Sequence, residues 1–287
     1  MSAAAPDSGV HFATVAQGDR TVRLEYRRVG DGSPAAPLLV FLHEGLGSTS
    51  MWKDFPGRLC EAGGWRGLVY SRPGYGRSTP RPQGERWRPS YMHEQAQEVL
   101  PRFLAAAGVD AMADPPWLFG HSDGASIALI HAATCPDAVA GLVLLAPHIF
   151  VEDLSIHSIE QAKYAYAADL RQRLARHHKD VDSAFWGWND AWLDPAFRRW
   201  NIEGLLASIQ VPVLAIQGHN DEYGTMAQVD RLAAAVARAE VLKLDDCAHS
   251  PHRDRPEAVM GATIDFVGRH RQWRSRSNPQ SQREETT

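Results

Sequence analysis

Six short runs, at residues 38–42, 67–70, 117–119, 142–146, 213–216 and 241–244, are apolar at nearly every position rather than at every second one. A strand with one solvated face alternates, whereas a run without alternation reads as a strand buried on both faces, as in a parallel sheet covered by helices. Between the runs lie segments with helical spacing, at about residues 50–60, 91–107, 123–134, 225–238 and 256–269. This alternation of strand and helix predicts an α/β fold: a mostly parallel twisted sheet flanked by helices, with functional loops at the carboxyl ends of its strands. Ahead of it, residues 21–27 alternate β-formers with charges behind Gly18-Asp19, which predicts an antiparallel hairpin.

The rhythm stops once, between Ala146 and Val213, where several helical patterns accompany Trp186, Trp188, Trp192 and Trp200. A stretch of that length is too long for a bare loop. The division expected is a core at residues 1–146, a helical cap inserted at 147–211, the rest of the core at 212–270 and a flexible tail at 271–287. A covering element must bury apolar surface of its own, so Tyr164, Trp186, Trp188 and Trp192 are candidates to line a substrate pocket. The tryptophans can equally serve only to hold the insertion together.

A chain of 287 residues accommodates one such domain with an insertion. With 44% hydrophobic and 22% charged residues and a formal net charge of −4, the composition is that of a soluble globular chain and points to no nucleic-acid partner. The local basic excess at Arg269, Arg271, Arg274 and Arg276 is partly offset by Glu284 and Glu285 and reads as a solvated end. Cys60, Cys135 and Cys247 are few, distant and odd in number, which suits a reducing compartment. Without a charged start leading into an apolar run, or an 18-residue apolar stretch, the expectation is a cytoplasmic location with neither export nor a membrane span.

Gly120-His121-Ser122-Asp123-Gly124 is a G-x-S-x-G run placed between the strand at 117–119 and the helix that starts near Ala125. A serine on so sharp a strand-to-helix turn presents its hydroxyl in the open, and the flanking glycines let strand and helix come close. The helix that begins there aims free N–H groups and its positive dipole end at developing negative charge.

At this motif the chain resembles the α/β-hydrolase superfamily, and the resemblance extends from about Gly9 to Arg269. Ser122 is then the implied nucleophile. His43-Glu44-Gly45-Leu46-Gly47-Ser48 is similar to the family's His-Gly-rich oxyanion loop, with Glu44 where glycine is usual. The resemblance implies an oxyanion hole from the N–H groups of Gly45 and Asp123. Glu44 either points away as a supporting group or enters the pocket and repels acidic substrates, and His43 reads as an architectural residue. Gln217-Gly218-His219-Asn220-Asp221 implies Asp221 as the carboxylate that braces the base, with Glu222 as its rival. Cys247-Ala248-His249-Ser250-Pro251 implies His249 as that base, with His252 as the fallback. The chain order Ser, Asp, His is that of this fold. Ser71-Arg72-Pro73-Gly74-Tyr75-Gly76-Arg77-Ser78 is similar to the family's loop after the third core strand and is expected to be structural, although Arg72 could reach a substrate carboxylate.

No complete metal-ligand set, H-e-x-x-H pattern or phosphate-cradling glycine loop is legible, and His177-His178 reads as a solvated helix face. No cofactor or metal is therefore expected. A serine rather than an aspartate at the elbow favours acyl chemistry. Hydrolysis of a small carboxylic ester comes first, then cleavage of a carbon–carbon bond beside a ketone, thioester hydrolysis or acyl transfer. The expected partner is a small-molecule acyl substrate. A ligand-binding receptor on a hydrolase scaffold is the reading from another class, and the oligomeric state, a homodimer included, is left open.

Overall fold

The computed structural model of the chain describes residues 9–270. The expected tail at 271–287, with Arg271, Arg274 and Arg276, lies outside the described residues, as do residues 1–8. Among the described residues one sheet of eight strands comprises β1 (His11–Gln17), β2 (Arg20–Val29), β3 (Leu38–Leu42), β4 (Arg66–Tyr70), β5 (Trp117–His121), β6 (Gly141–Leu145), β7 (Val213–Gly218) and β8 (Ala239–Leu244). Their spatial order is β1-β2-β4-β3-β5-β6-β7-β8. β1 and β2 form an antiparallel hairpin through Gly18, β2 runs antiparallel to β4, and every pairing from β4 to β8 is parallel.

The unbroken apolar runs follow from this position in the sheet. β3, β5, β6 and β7 are buried at each residue, and successive side chains enter opposite cores. Leu38, Val40, Leu42, Leu118, Leu142 and Leu144 share one core; Leu39, Phe41, Phe119, Val143 and Leu145 share the other. The first packs against α3 (Leu100–Ala106) and α4 (Asp123–Thr134), the second against α1 (Phe55–Gly63) and α11 (Pro256–His270). β8 departs from the expected buried strand: it borders only β7, and Glu240 and Lys243 are exposed.

Local chemistry moves several boundaries. The helix expected at 50–60 divides into one 3-10 turn, Thr49–Trp52, and α1, because Lys53 takes a positive φ of 53° and Pro56 opens the new helix. The segment expected at 91–107 is α2 (Tyr91–Glu94), a π turn at Gln95–Val99, and α3. Arg269, expected in a solvated end, lies in the last turn of α11 and pairs with Glu240 at 2.7 Å and Asp265 at 3.0 Å.

Between β6 and β7 run α5 (Asp153–Ala165), a π turn at Tyr166–Leu170, α6 (Arg171–Leu174), α7 (Val181–Trp192) and α8 (Glu203–Leu206). Asp180 caps α7 by accepting the Ser183 N–H at 2.9 Å. The Phe185 ring stacks on Tyr166 at 3.7 Å, and Trp188 and Trp192 are buried on the same helix. The expected solvated face at His177-His178 is a tie instead. His178 lies between α6 and α7, is buried, donates to the Leu46 carbonyl and accepts the Gly76 N–H, each at 3.0 Å. Burial lowers its pKa to about 4. β7 is followed by α9 (Ala227–Ala235), and α10 (Pro251–Asp254) precedes α11. No helix among the described residues is long and apolar enough to cross a membrane.

Candidate active site

β5 ends at His121 and α4 begins at Asp123, so Ser122 alone makes the corner, with φ 53° and ψ −119°. An L-residue pays strain there, and the surroundings enforce it: the Ser122 N–H donates to Leu145 O at 2.9 Å while its carbonyl accepts from Ala125 N–H at 2.8 Å. Gly124 permits the crossing, since a Cβ at that position would lie 2.0 Å from the Leu42 carbonyl oxygen on β3.

Three carboxyl-end loops converge on this corner. The Ser122 hydroxyl lies 2.9 Å from Nε2 of His249, which follows β8. Nδ1 of His249 lies 2.8 Å from Oδ1 of Asp221, which follows β7. In the tautomer this requires, Nδ1–H donates to the carboxylate and Nε2 accepts from the serine. Asp221 also accepts from Gln217 Nε2 and Tyr223 N, both at 2.8 Å, and from Gly224 N at 3.2 Å. Glu222 instead accepts the backbone N–H of His249 at 3.2 Å. His252 is buried 4.8 Å from the Trp52 ring and 4.9 Å from that of His121, outside the hydrogen-bonded chain.

Electrostatics match the geometry. Burial presses the His249 imidazole toward neutrality, but the charge and hydrogen bond of Asp221 outweigh it and leave the pKa above the ordinary value. Burial acts to raise the Asp221 pKa, and the same pairing with His249, aided by the Tyr223 N–H, holds it below the usual range. A hydroxyl hydrogen-bonded to an imidazole that is braced by an ionised carboxylate can lose its proton as it attacks a carbonyl.

Asp123 and Gly45 flank the serine. Asp123 opens α4, where an N–H has no carbonyl one turn earlier to meet. Its side chain is fully buried and accepts from Tyr91 Oη at 2.6 Å and Trp192 Nε1 at 3.2 Å, with Arg72 Nη2 at 3.5 Å. Gly45 lies under Trp188: a Cβ there would stand 2.1 Å from the indole Nε1. Behind the loop, His43 accepts the Arg72 N–H through Nε2 at 3.0 Å and donates to Glu44 O at 2.7 Å. Arg72 is buried and donates to Glu44 O at 2.8 Å, so its guanidinium braces this loop from within the protein rather than reaching a substrate. The Glu44 carboxylate lies 3.5 Å from His121 Nδ1 and 3.6 Å from Arg253. Burial alone would raise its pKa, yet His121 and Arg253 hold it well below the carboxylate range.

A cavity of about 100 Å³ opens beside the serine. Trp188 and Trp192 line it, as do Glu44, Gly45 and Leu46, with His148, Ile159 and Tyr223 closing the remaining walls. The other two aromatic candidates lie elsewhere: Tyr164 is 73% exposed, and Trp186 packs against Phe185 and Tyr166. Tyr164 falls on the α5 face turned to solvent, and Trp186 is two residues off the inward face that carries Trp188 and Trp192. Reading the sequence misses His148, whose ring lies 5.8 Å from that of His249 and 5.0 Å from Trp192. A signal existed: His148 follows the carboxyl end of β6, where this architecture places functional groups. Burial drives its pKa down to about 3, so the ring is neutral.

Residues 39–262 match the Alpha/beta hydrolase family. A curated relative from Pseudomonas putida, 2-hydroxy-6-oxononadienedioate/2-hydroxy-6-oxononatrienedioate hydrolase 2, is 23% identical over 91% of this chain and 96% of its own length. Among solved structures, a hydrolase from Pseudomonas aeruginosa superposes with a TM-score of 0.71 at 21% identity, over 91% of this chain and 99% of that one. The enol-lactonase from Burkholderia xenovorans gives 0.69 at 21% identity, over 90% of this chain and 100% of that one.

Proposed function

The chain belongs to the alpha/beta hydrolase family, and from that premise we propose that it is a serine hydrolase of small, uncharged carboxylic esters. The observation that carries the reading is the chain of hydrogen bonds from Ser122 through His249 to Asp221. Ser122 Oγ attacks the carbonyl carbon while His249 Nε2 takes its proton, and Asp221 holds the imidazolium. The N–H groups of Gly45 and Asp123 receive the oxyanion. His249 then returns the proton to the leaving alcohol, and water, activated by the same imidazole, releases the acid from the acyl-serine. The helices between β6 and β7 act as a cap, with Trp188, Trp192 and Ile159 limiting the acyl group to a compact one.

Cleavage of a carbon–carbon bond beside a ketone is the second reading, favoured by the P. putida relative. The substrates in that relative's name are dioates, with two carboxylates. The cavity lining here contains no arginine or lysine and includes Glu44, which supports the ester reading. The test is turnover of short p-nitrophenyl esters by the wild type and by Ser122→Ala. The expected loss in kcat is about 10⁴- to 10⁶-fold with the fold intact. Retention of more than a few per cent of activity would exclude Ser122 as nucleophile, and a wild type inert on every acyl substrate would favour a binding role.

A further inference from the structure

A cleft of about 790 Å³ opens where the β1–β2 hairpin, the loop at residues 77–80 and the link between α6 and α7 meet. Arg23, Arg27, Arg77, Arg176 and Lys179 all line it. The chain carries a formal net charge of −4, so five cations in one cleft give it a local charge opposite in sign to that of the molecule. One carboxylate shares the lining, that of Glu25, and it is 5% exposed and already engaged with Ser71 Oγ at 2.9 Å and Arg77 N at 2.8 Å. Arg77 Nε stands 3.9 Å from it. Among the described residues the other four cations have no carboxylate within 4.0 Å. His177, in the same lining, has its pKa lowered first by burial and then by the charges of Arg253 and Arg176.

Five like charges with Glu25 as the one counter-charge in the lining repel one another, and an anion placed among them relieves that repulsion. Four of the five are arginines, whose planar forks match phosphate oxygens. Val10, Phe12 and Pro80 add an apolar wall, with Val10 46% and Phe12 39% exposed. We propose that this cleft, separate from the Ser122 cavity, binds a small molecule bearing a phosphate or diphosphate group. Arg23, Arg27 and Arg77 belong to the core, whereas Arg176 and Lys179 belong to the segment between β6 and β7, so the bound anion ties the two together.

Calorimetric titration of the full chain with pyrophosphate, against sodium chloride at matched ionic strength, tests the site. Saturable one-to-one binding is expected, with slower hydrogen exchange at residues 176–179. Arg23→Gln combined with Lys179→Gln should weaken binding by about a hundredfold, and Arg176→Gln, a change at an exposed side chain, by about tenfold. Ester hydrolysis in each variant reports that it is folded. Tighter binding of phenyl phosphate than of inorganic phosphate would assign the site to an organic phosphate; equal affinity would assign it to the inorganic ion. No saturable binding of pyrophosphate, or binding undiminished in the variants, would overturn the proposal.

Discussion

The imidazole of His249 is pulled two ways, by burial toward the neutral form and by Asp221 toward the charged one, and Asp221 wins. Since the base must be deprotonated to act, kcat/KM on an ester should rise with pH to a plateau, with its midpoint above the ordinary histidine value of about 6.5. A pH–rate profile with its midpoint at or below that value would contradict the pairing. Asp221→Asn should lower kcat by about 10⁴-fold, because the amide favours the wrong tautomer. Glu44 stands where glycine is expected from the resemblance, and its ionised carboxylate borders the cavity. Glu44→Gln should raise the rate on a succinate monoester relative to a neutral ester of similar size by roughly tenfold, measured as the ratio of the two kcat/KM values.

At the scale of elements, the loop after β3 and helix α7 fit together only because residue 45 lacks a side chain. Gly45→Ala drives a methyl group into the Trp188 indole. The expected result is a loss of about 1–3 kcal/mol of stability and, through the displaced amide, a fall in kcat of about 10²–10³-fold. Urea melts and kinetics on the same preparation separate the two effects. How much was legible in the sequence follows the range of the forces involved. Runs such as residues 38–42 and 142–146 announced buried strands because both their faces are covered, and the G-x-S-x-G motif announced its corner because the strain is local. Trp188 and Trp192 were legible as lining by their aromatic type, but the rest of the lining was not, because Ile159, His148 and Tyr223 come from one helix and two loops that meet only after folding. Tyr164 and Trp186 were plausible by type and misplaced by helical phase.

The molecule as a whole stores neutral histidines. His43, His131, His148, His178 and His252 are all buried, and burial lowers the pKa of each. Below about pH 6.5 the unfolded chain binds protons at these positions and the folded chain does not, so stability falls as pH falls. The window runs down to about 4 for His178 and about 3 for His148, with a slope of about 1.4 kcal/mol per pH unit for each such group. His249 has the opposite sign, gaining from protonation, but it is one against five. Urea denaturation between pH 7 and 4.5 should show a steep loss; a flat profile would mean that these histidines take up protons in the folded protein as readily as in the unfolded chain.

The carboxyl-end loops that meet at Ser122 are spread along the chain: the hydroxyl is encoded at 122, its brace at 221 and its base at 249. On the proposed mechanism the nucleophile therefore leaves the ribosome more than a hundred residues ahead of its activator. In a nascent or prematurely terminated chain that lacks the loop after β8, Ser122 is then no more reactive than an ordinary alcohol, so the proposed acyl chemistry at it waits until all eight strands have been made.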